Sequence, residues 1–106
     1  MALLLRETLP ELAEELSLLL TAAGHDDLAK QLVDLRIMSR CHCADDFCST
    51  FYTKPKPRGV YGTGHENIAL EPQRGIIVLD VVEGSIACVE VLYRDEIRRK
   101  LLAAMP

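Results

Sequence analysis

The chain is poor in aromatic residues and has no excess of positive charge. It contains no tryptophan, and aromatic residues make up 5% of its 106 residues, whereas hydrophobic residues make up 49%. The core must therefore be built from aliphatic side chains. The formal net charge is −4 at pH 7, and a domain that binds phosphates normally carries surplus Lys and Arg. This composition argues against nucleic acid or an anionic membrane surface as a partner, and we expect neither.

The chain also lacks a long hydrophobic run. The leucines at 3–5 are followed at once by Arg6 and Glu7, and no apolar window approaches the roughly 20 residues that a membrane span requires. We therefore expect no signal peptide and a cytoplasmic location. In that reducing compartment the four cysteines are expected to be thiols or metal ligands rather than disulfides. The length predicts a single domain over residues 1–106.

The first third of the chain carries a helical period. The segment Thr-Leu-Pro-Glu at 8–11 has the pattern of a capping box, and Leu and Ala recur at three- and four-residue intervals over 9–23. Gly24 is a C-terminal stop signal, and a second helix is predicted over about 25–36. Because the connection is short, the two helices are expected to form an antiparallel helical hairpin.

The rest of the chain carries strand patterns. Alternation over 47–53 predicts a strand, and the stretch 54–64, which contains Pro and Gly, predicts a loop. A short strand is predicted over 68–70. Two apolar runs, 76–82 and 85–93, predict a β-hairpin with a two-residue turn. This turn would pair Val82 with Ser85, Val78 with Val89 and Ile76 with Val91.

A C-terminal helix is predicted after Arg94, so the fold class is α+β. We expect the N-terminal helical hairpin to pack on a three- or four-stranded, mainly antiparallel sheet, with the C-terminal helix covering further apolar surface. Asp80 and Glu90 interrupt apolar strands, and since a buried carboxylate needs a partner, each is expected to meet an Arg or to lie at a sheet edge. The predicted core includes Leu12, Leu16, Leu19, Leu32, Leu35, Phe51, Val78, Val81, Ile86, Val89 and Val91.

Metal-type ligands are concentrated in the short stretch between Arg40 and Thr50. Cys41, Cys43 and Cys48 lie within eight residues of one another, and their thiolates can converge on one ion if the chain turns between the second and third cysteine. Soft thiolates favour zinc, which binds them in a tetrahedral site. The sequence therefore offers a zinc site as a hypothesis, with zinc as the candidate cofactor, while plain packing of these cysteines at a helix-to-strand corner is the interpretation we favour.

The fourth ligand of this site is open to three candidates. His65, His42 or Cys88 can complete it. His65 is favoured because it follows a Gly-rich loop that is free to fold back. The predicted metal ligands are accordingly Cys41, Cys43, Cys48 and His65.

Two resemblances bear on this stretch. The spacing Cys41-x-Cys43-x4-Cys48 resembles the zinc knuckle that follows the catalytic domain of SET-type methyltransferases, where another segment supplies the fourth ligand. This first resemblance implies only that the cysteines coordinate a metal ion, because a chain of 106 residues is too short to contain such an enzyme. The start Arg40-Cys41-His42-Cys43, the Thr-bearing strand and the late strand with Gly84, Ile86, Glu90 and Val91 resemble a group of small uncharacterised bacterial proteins. That second resemblance implies an α+β domain and supplies no activity.

The cysteines have two other interpretations. They can be small, half-buried residues at a helix-to-strand corner, with Cys48 pointing into the core, or vicinal thiols that act in redox chemistry. The function we favour is a non-enzymatic bacterial interaction or regulatory domain, with a structural Cys/His zinc site and a protein partner or a second copy of the chain. The alternative is a small thiol-dependent enzyme or redox protein that uses Cys41, Cys43 or Cys48 with His65.

Overall fold

A computed structural model describes residues 2–106 as four helices and seven strands. The helices are α1 (Leu5–Thr8), α2 (Pro10–Ala22), α3 (Asp26–Gln31) and α4 (Asp95–Ala104). The strands are β1 (Leu3–Leu4), β2 (Arg36–Ile37), β3 (Ser39–Arg40), β4 (Phe51–Tyr52), β5 (His65–Leu70), β6 (Ile76–Val82) and β7 (Ser85–Leu92). None of these helices has the length and apolar composition needed to cross a bilayer.

The strands form two antiparallel sheets, which confirms the α+β class. The main sheet has five strands in the order β3-β4-β7-β6-β5, and β1 pairs with β2 in a separate ribbon. The predicted count of three or four strands is too low because the two-residue strand β3, which carries no alternating pattern, pairs with β4. Leucines of α1, α2 and α3 and the buried positions of α4 pack with the inner residues of β6 and β7 in one apolar core.

A β-bulge in the hairpin of β6 and β7 decides which side chains face this core. The predicted pair of Val82 with Ser85 is confirmed. Val81 then lies opposite Ile86 while Asp80 lies opposite Cys88, so that Ala87 is an extra residue on β7. An extra residue shifts the remaining pairing by one position, and a shift of one exchanges the two faces of a strand.

The other two predicted pairs of the hairpin are therefore wrong. Val78 lies opposite Glu90 and Ile76 lies opposite Leu92. Val89 lies opposite Leu79 and Val91 opposite Ile77 on the core face, and both valines are fully buried. The face on the far side of the sheet receives the polar residues of these strands.

The first long helix lies where the sequence predicts it, but its N-terminal cap and the length of the second helix differ from the prediction. The capping box does not form: Leu9 is the N-cap residue of α2 without a side-chain cap hydrogen bond, because Thr8 already belongs to α1. The second helix, α3, ends at Gln31 rather than near residue 36. A hairpin of two long helices is therefore not confirmed.

The last residue of α3, Gln31, is bonded to a distant part of the chain. Its side-chain Nε2 donates to the Gly84 carbonyl at 2.6 Å, and its Oε1 accepts from the Ile86 amide at 3.0 Å. These bonds attach the end of the helix to the turn of the hairpin. The chain then leaves the helix, and Arg36 pairs with Leu4 in the ribbon of β1 and β2.

Most of the predicted core is buried. The exceptions are Leu19 and Val78, which are only partly buried. Val78 lies on the outer face because it alternates along β6 with the buried Ile77 and Leu79, and Leu19 packs at the margin of the core. Fully buried positions that the sequence analysis did not name include Leu5, Leu9, Leu20, Ile37, Ile77 and Leu79.

Candidate metal centre and the adjoining cleft

The stretch 47–53 brings the cysteine cluster against the main sheet. Only Phe51–Tyr52 is regular strand, whereas the sequence predicted a strand over the whole stretch. The Ser49 amide donates to the Val91 carbonyl at 2.8 Å, but the Val91 amide donates to the Thr50 hydroxyl at 3.2 Å rather than to a backbone carbonyl. Side-chain bonding of this kind competes with the regular ladder, so the chain bends where Cys48 approaches β7.

The three clustered cysteines are brought together by this bend. The Cys41 amide donates to the Thr50 carbonyl at 2.9 Å, and the chain turns back between Asp45 and Cys48. The Sγ atoms of Cys41, Cys43 and Cys48 all lie within 4.8 Å of one another. Tetrahedral zinc with Zn–S bonds of about 2.3 Å needs sulfurs roughly 3.8 Å apart, a spacing that small side-chain rotations reach from here.

His65 lies apart from the three sulfurs. It stands on β5, where its Nε2 is 2.9 Å from Asp80 Oδ1, and its ring centroid lies 4.6 Å from that of Tyr61. The other two candidates for a fourth ligand, the exposed His42 and the buried Cys88, do not join the group of donor atoms either. Within residues 2–106, no His, Cys, Asp or Glu adds a fourth donor atom to the group of three sulfurs.

The cysteines form one wall of a cleft of about 450 Å³ on the outer face of the sheet. The loop 53–64 contributes part of the opposite wall, and the Nζ of Lys56 lies 5.7 Å from the ring centroid of Tyr52. Side chains that line the cleft besides Cys41, Cys43 and Cys48 include Tyr52, Lys56, Tyr61, Asp80, Cys88 and Glu90.

Asp80 and Glu90 form a carboxyl pair in this cleft. Asp80 is 6% exposed, and its Oδ1 accepts from Asn67 Nδ2 at 3.0 Å as well as contacting His65 Nε2. A hydrogen bond with Asp80, together with burial and the Asp80 charge, raises the pKa of Glu90 to about 7. Glu90 therefore loses its proton as the pH rises through about 7. The prediction that each carboxylate meets an Arg or a sheet edge is wrong, because the bulge puts both on the outer face of two interior strands, β6 and β7.

Cys88 belongs to the surroundings of this pair rather than to the cysteine cluster. Burial, followed by the charges of Asp80 and Glu90, raises the pKa of its thiol far above the ordinary value. It is therefore a protonated thiol at neutral pH, and a protonated thiol is a poor nucleophile.

Tyr61 is a cleft residue that sequence reasoning missed. Its hydroxyl oxygen is buried without a hydrogen-bond partner in the described part of the chain, and burial raises its pKa. The sequence carries no signal for it, since a Tyr in a Gly-rich loop is common. The carboxyl pair did carry a signal, because Asp80 and Glu90 stand among apolar strand residues.

Comparison with known proteins leaves the chain to be interpreted from its own structure. No protein-family model, no curated protein and no solved structure matches it significantly. The cleft and the three sulfurs are therefore the observations from which a function can be argued.

Proposed function

We propose that this chain is a metal-binding domain that holds one zinc ion through the thiolates of Cys41, Cys43 and Cys48. The approach of the three sulfur atoms to within 4.8 Å of one another carries the proposal. Thiolates are soft ligands that select zinc over magnesium or calcium. His65 can join them only by giving up its contact with Asp80, so the proposal rests on the three thiolates.

The role of the bound zinc is regulatory or structural in this proposal, within a non-enzymatic bacterial cytoplasmic domain. Zinc would connect the end of β3 to the turn at 44–47 and to the residue that bridges to β7, Cys48. Metal binding would thus hold these three segments in one fixed arrangement. The negative charge of the chain and the unpaired outer edge of β5 suit a basic protein partner or a second copy.

Elemental analysis tests the metal directly. Protein purified without a metal-affinity tag is expected to contain one equivalent of zinc, and the Cys43→Ser variant is expected to lose most of it. Cys43 is exposed, so this change removes a ligand without disturbing packing. Cys88→Ala is the matched control, because it removes the cysteine that lies outside the cluster and is expected to keep its zinc. Protein that takes up no zinc on reconstitution would refute the proposal.

A second candidate, a thiol-dependent enzyme or redox protein, is favoured by the same proximity of the sulfurs. Two thiols that lie this close can form a disulfide when hydrogen peroxide accepts their two electrons and two protons, with release of two waters. Thiol titration against a fluorescent alkylating reagent separates the two functions. One thiol that reacts much faster than the others in zinc-free protein would favour redox chemistry or catalysis, whereas uniformly slow thiols protected by added zinc would favour the metal site.

A further inference from the structure

The three sulfurs leave one tetrahedral position of a bound zinc without a protein ligand. We propose, building on the metal site above, that this fourth position opens into the cleft and takes a small neutral donor from solution, of the water or imidazole class, in preference to an anion.

The first support is the absence of a suitable fourth donor in residues 2–106. His65 is the nearest candidate by residue type, but its Nε2 contacts Asp80 Oδ1 at 2.9 Å. Cys88 lines the cleft but is buried beside the carboxyl pair. Zinc sites with three protein ligands keep the remaining position for water or for a substrate.

The second support is the position of the sulfurs at the wall of the cleft. Cys41, Cys43 and Cys48 all line it together with Tyr61 and Glu90. A volume of about 450 Å³ exceeds the roughly 30 Å³ share of one water molecule many times over. A ring of imidazole size can therefore reach the metal from solution.

The third support is the charge of the cleft. Three thiolates outweigh the double charge of the zinc ion by one negative charge, and the pair of Asp80 and Glu90 adds further negative charge beside them. Lys56 is the cationic side chain that lines the cleft, and it stands over the Tyr52 ring. A neutral donor avoids the repulsion that an anion meets in this surrounding.

Cobalt spectroscopy tests the proposal, because Co²⁺ takes zinc sites and its absorption bands report the ligand set. The protein loaded with Co²⁺ is expected to show thiolate-to-cobalt charge transfer from three sulfurs. Imidazole added to this protein should shift the d–d bands saturably while the charge-transfer intensity stays constant. Azide is expected to bind at least tenfold more weakly at the same pH and ionic strength. The matched variants His65→Ala and Cys88→Ala should have the spectrum of the unmodified chain and the same response to imidazole.

The outcomes separate this inference from the proposed function. If Co²⁺ and Zn²⁺ do not bind at all, the metal site fails and this inference with it. If cobalt binds but imidazole leaves the bands unchanged, the inference alone is overturned. A spectrum altered in His65→Ala or Cys88→Ala would identify that residue as a fourth ligand and would also overturn it. Azide binding as tight as imidazole binding would overturn the preference for neutral donors.

Discussion

At the scale of single residues, the carboxyl pair of the cleft has the clearest physical consequence. Asp80 and Glu90 lie on one face of neighbouring strands because of the bulge beside Asp80. Their hydrogen bond and partial burial favour the form in which Glu90 is protonated. Two like charges cannot both be retained there without cost. The protonation state of the cleft therefore changes within the physiological pH range.

The pair makes stability dependent on pH in a predictable direction. The pKa of Glu90 is raised from 4.5 to about 7 on folding, so its stabilising contribution is complete below pH 4.5 and is lost as pH rises through 7. We expect the free energy of unfolding to fall by about 1–2 kcal/mol between pH 5 and pH 8, a value reduced for solvent screening at this partly exposed group. Urea unfolding at pH 5, 6, 7 and 8 measures it.

A pair of amide variants serves as the control for this pH dependence. Glu90→Gln cannot ionise and is expected to flatten the stability profile over this range. Glu66→Gln removes an exposed carboxylate from the face of β5 opposite to His65 and Asn67. This variant should retain the slope of stability against pH. If Glu90→Gln keeps the full slope, the carboxyl pair is not its source.

Gly75 is a second residue whose role is set by its surroundings. Its φ is +73°, and a Cβ atom there would lie 2.5 Å from the Leu92 carbonyl oxygen. Gly75→Ala is therefore expected to destabilise the protein by about 2–4 kcal/mol through backbone strain and a clash. Gly24→Ala is the matched control: its φ is +85° but a Cβ meets open space, so only about 1 kcal/mol is expected. Equal losses in thermal or urea unfolding would mean that the contact with Leu92 is unimportant.

At the scale of elements, Arg94 joins parts of the chain that are distant in sequence. This nearly buried side chain precedes α4, and it donates to Glu15 Oε1 at 2.7 Å and Oε2 at 2.9 Å, and to Glu96 Oε2 at 2.8 Å. It also reaches the Arg74 carbonyl at 3.2 Å. One guanidinium thus connects α2, the start of β6 and the start of α4. Its planar fork suits this task, which a Lys side chain would not perform.

Replacement of Arg94 tests this connection. Arg94→Met keeps the length of the side chain but removes the cation from Glu15, whereas Glu96 keeps its ion pair with Arg74 at 2.8 Å. We expect a loss of about 2–3 kcal/mol, below the range for a fully buried pair because both carboxylates are partly exposed. Lys100→Met removes a surface ion pair with Glu11 and is expected to cost less than about 0.5 kcal/mol. If chemical denaturation gives similar losses for both variants, Arg94 does not connect these elements.

At the scale of the whole molecule, the two faces of the main sheet carry different kinds of side chain. One face carries the aliphatic core that the helices cover, and the other carries the cleft with the three thiols and the carboxyl pair. The bulge in β7 produces this division, because it moves Val89 and Val91 to the core and Cys88 and Glu90 to the cleft. The aliphatic core and the cleft with its thiols and carboxyl groups therefore lie on opposite sides of one sheet.

Zinc is expected to stabilise the whole molecule through its link to β7. Free zinc at one hundred times its dissociation constant would add about 2.7 kcal/mol, and the midpoint of thermal unfolding should rise by several degrees. The rise should disappear on chelation and in Cys43→Ser, and should persist in Cys88→Ala relative to that variant's own zinc-free form. An equal rise in Cys43→Ser would place the zinc elsewhere.

Features encoded by neighbouring residues could be predicted from the sequence by itself. The first long helix, the loop at 54–64, the turn after Val82 and the C-terminal helix follow from local periodicity and turn chemistry. The proximity of Cys41, Cys43 and Cys48 is also local, because a short turn suffices to bring their sulfurs together. The α+β class follows from the order of these patterns.

Features that depend on pairing between distant segments could not be predicted in this way. No Gly or Pro marks the bulge at Ala87, yet that bulge selects the buried face of β7 and brings Asp80 beside Glu90. The same register sets Asp80 against Asn67 and within reach of His65, so His65 is held by a carboxylate instead of joining the thiols. The strand register is set by the free energy of burying one whole face of the sheet against the helices. That free energy is a sum over contacts between distant residues, so no short stretch of sequence contains it.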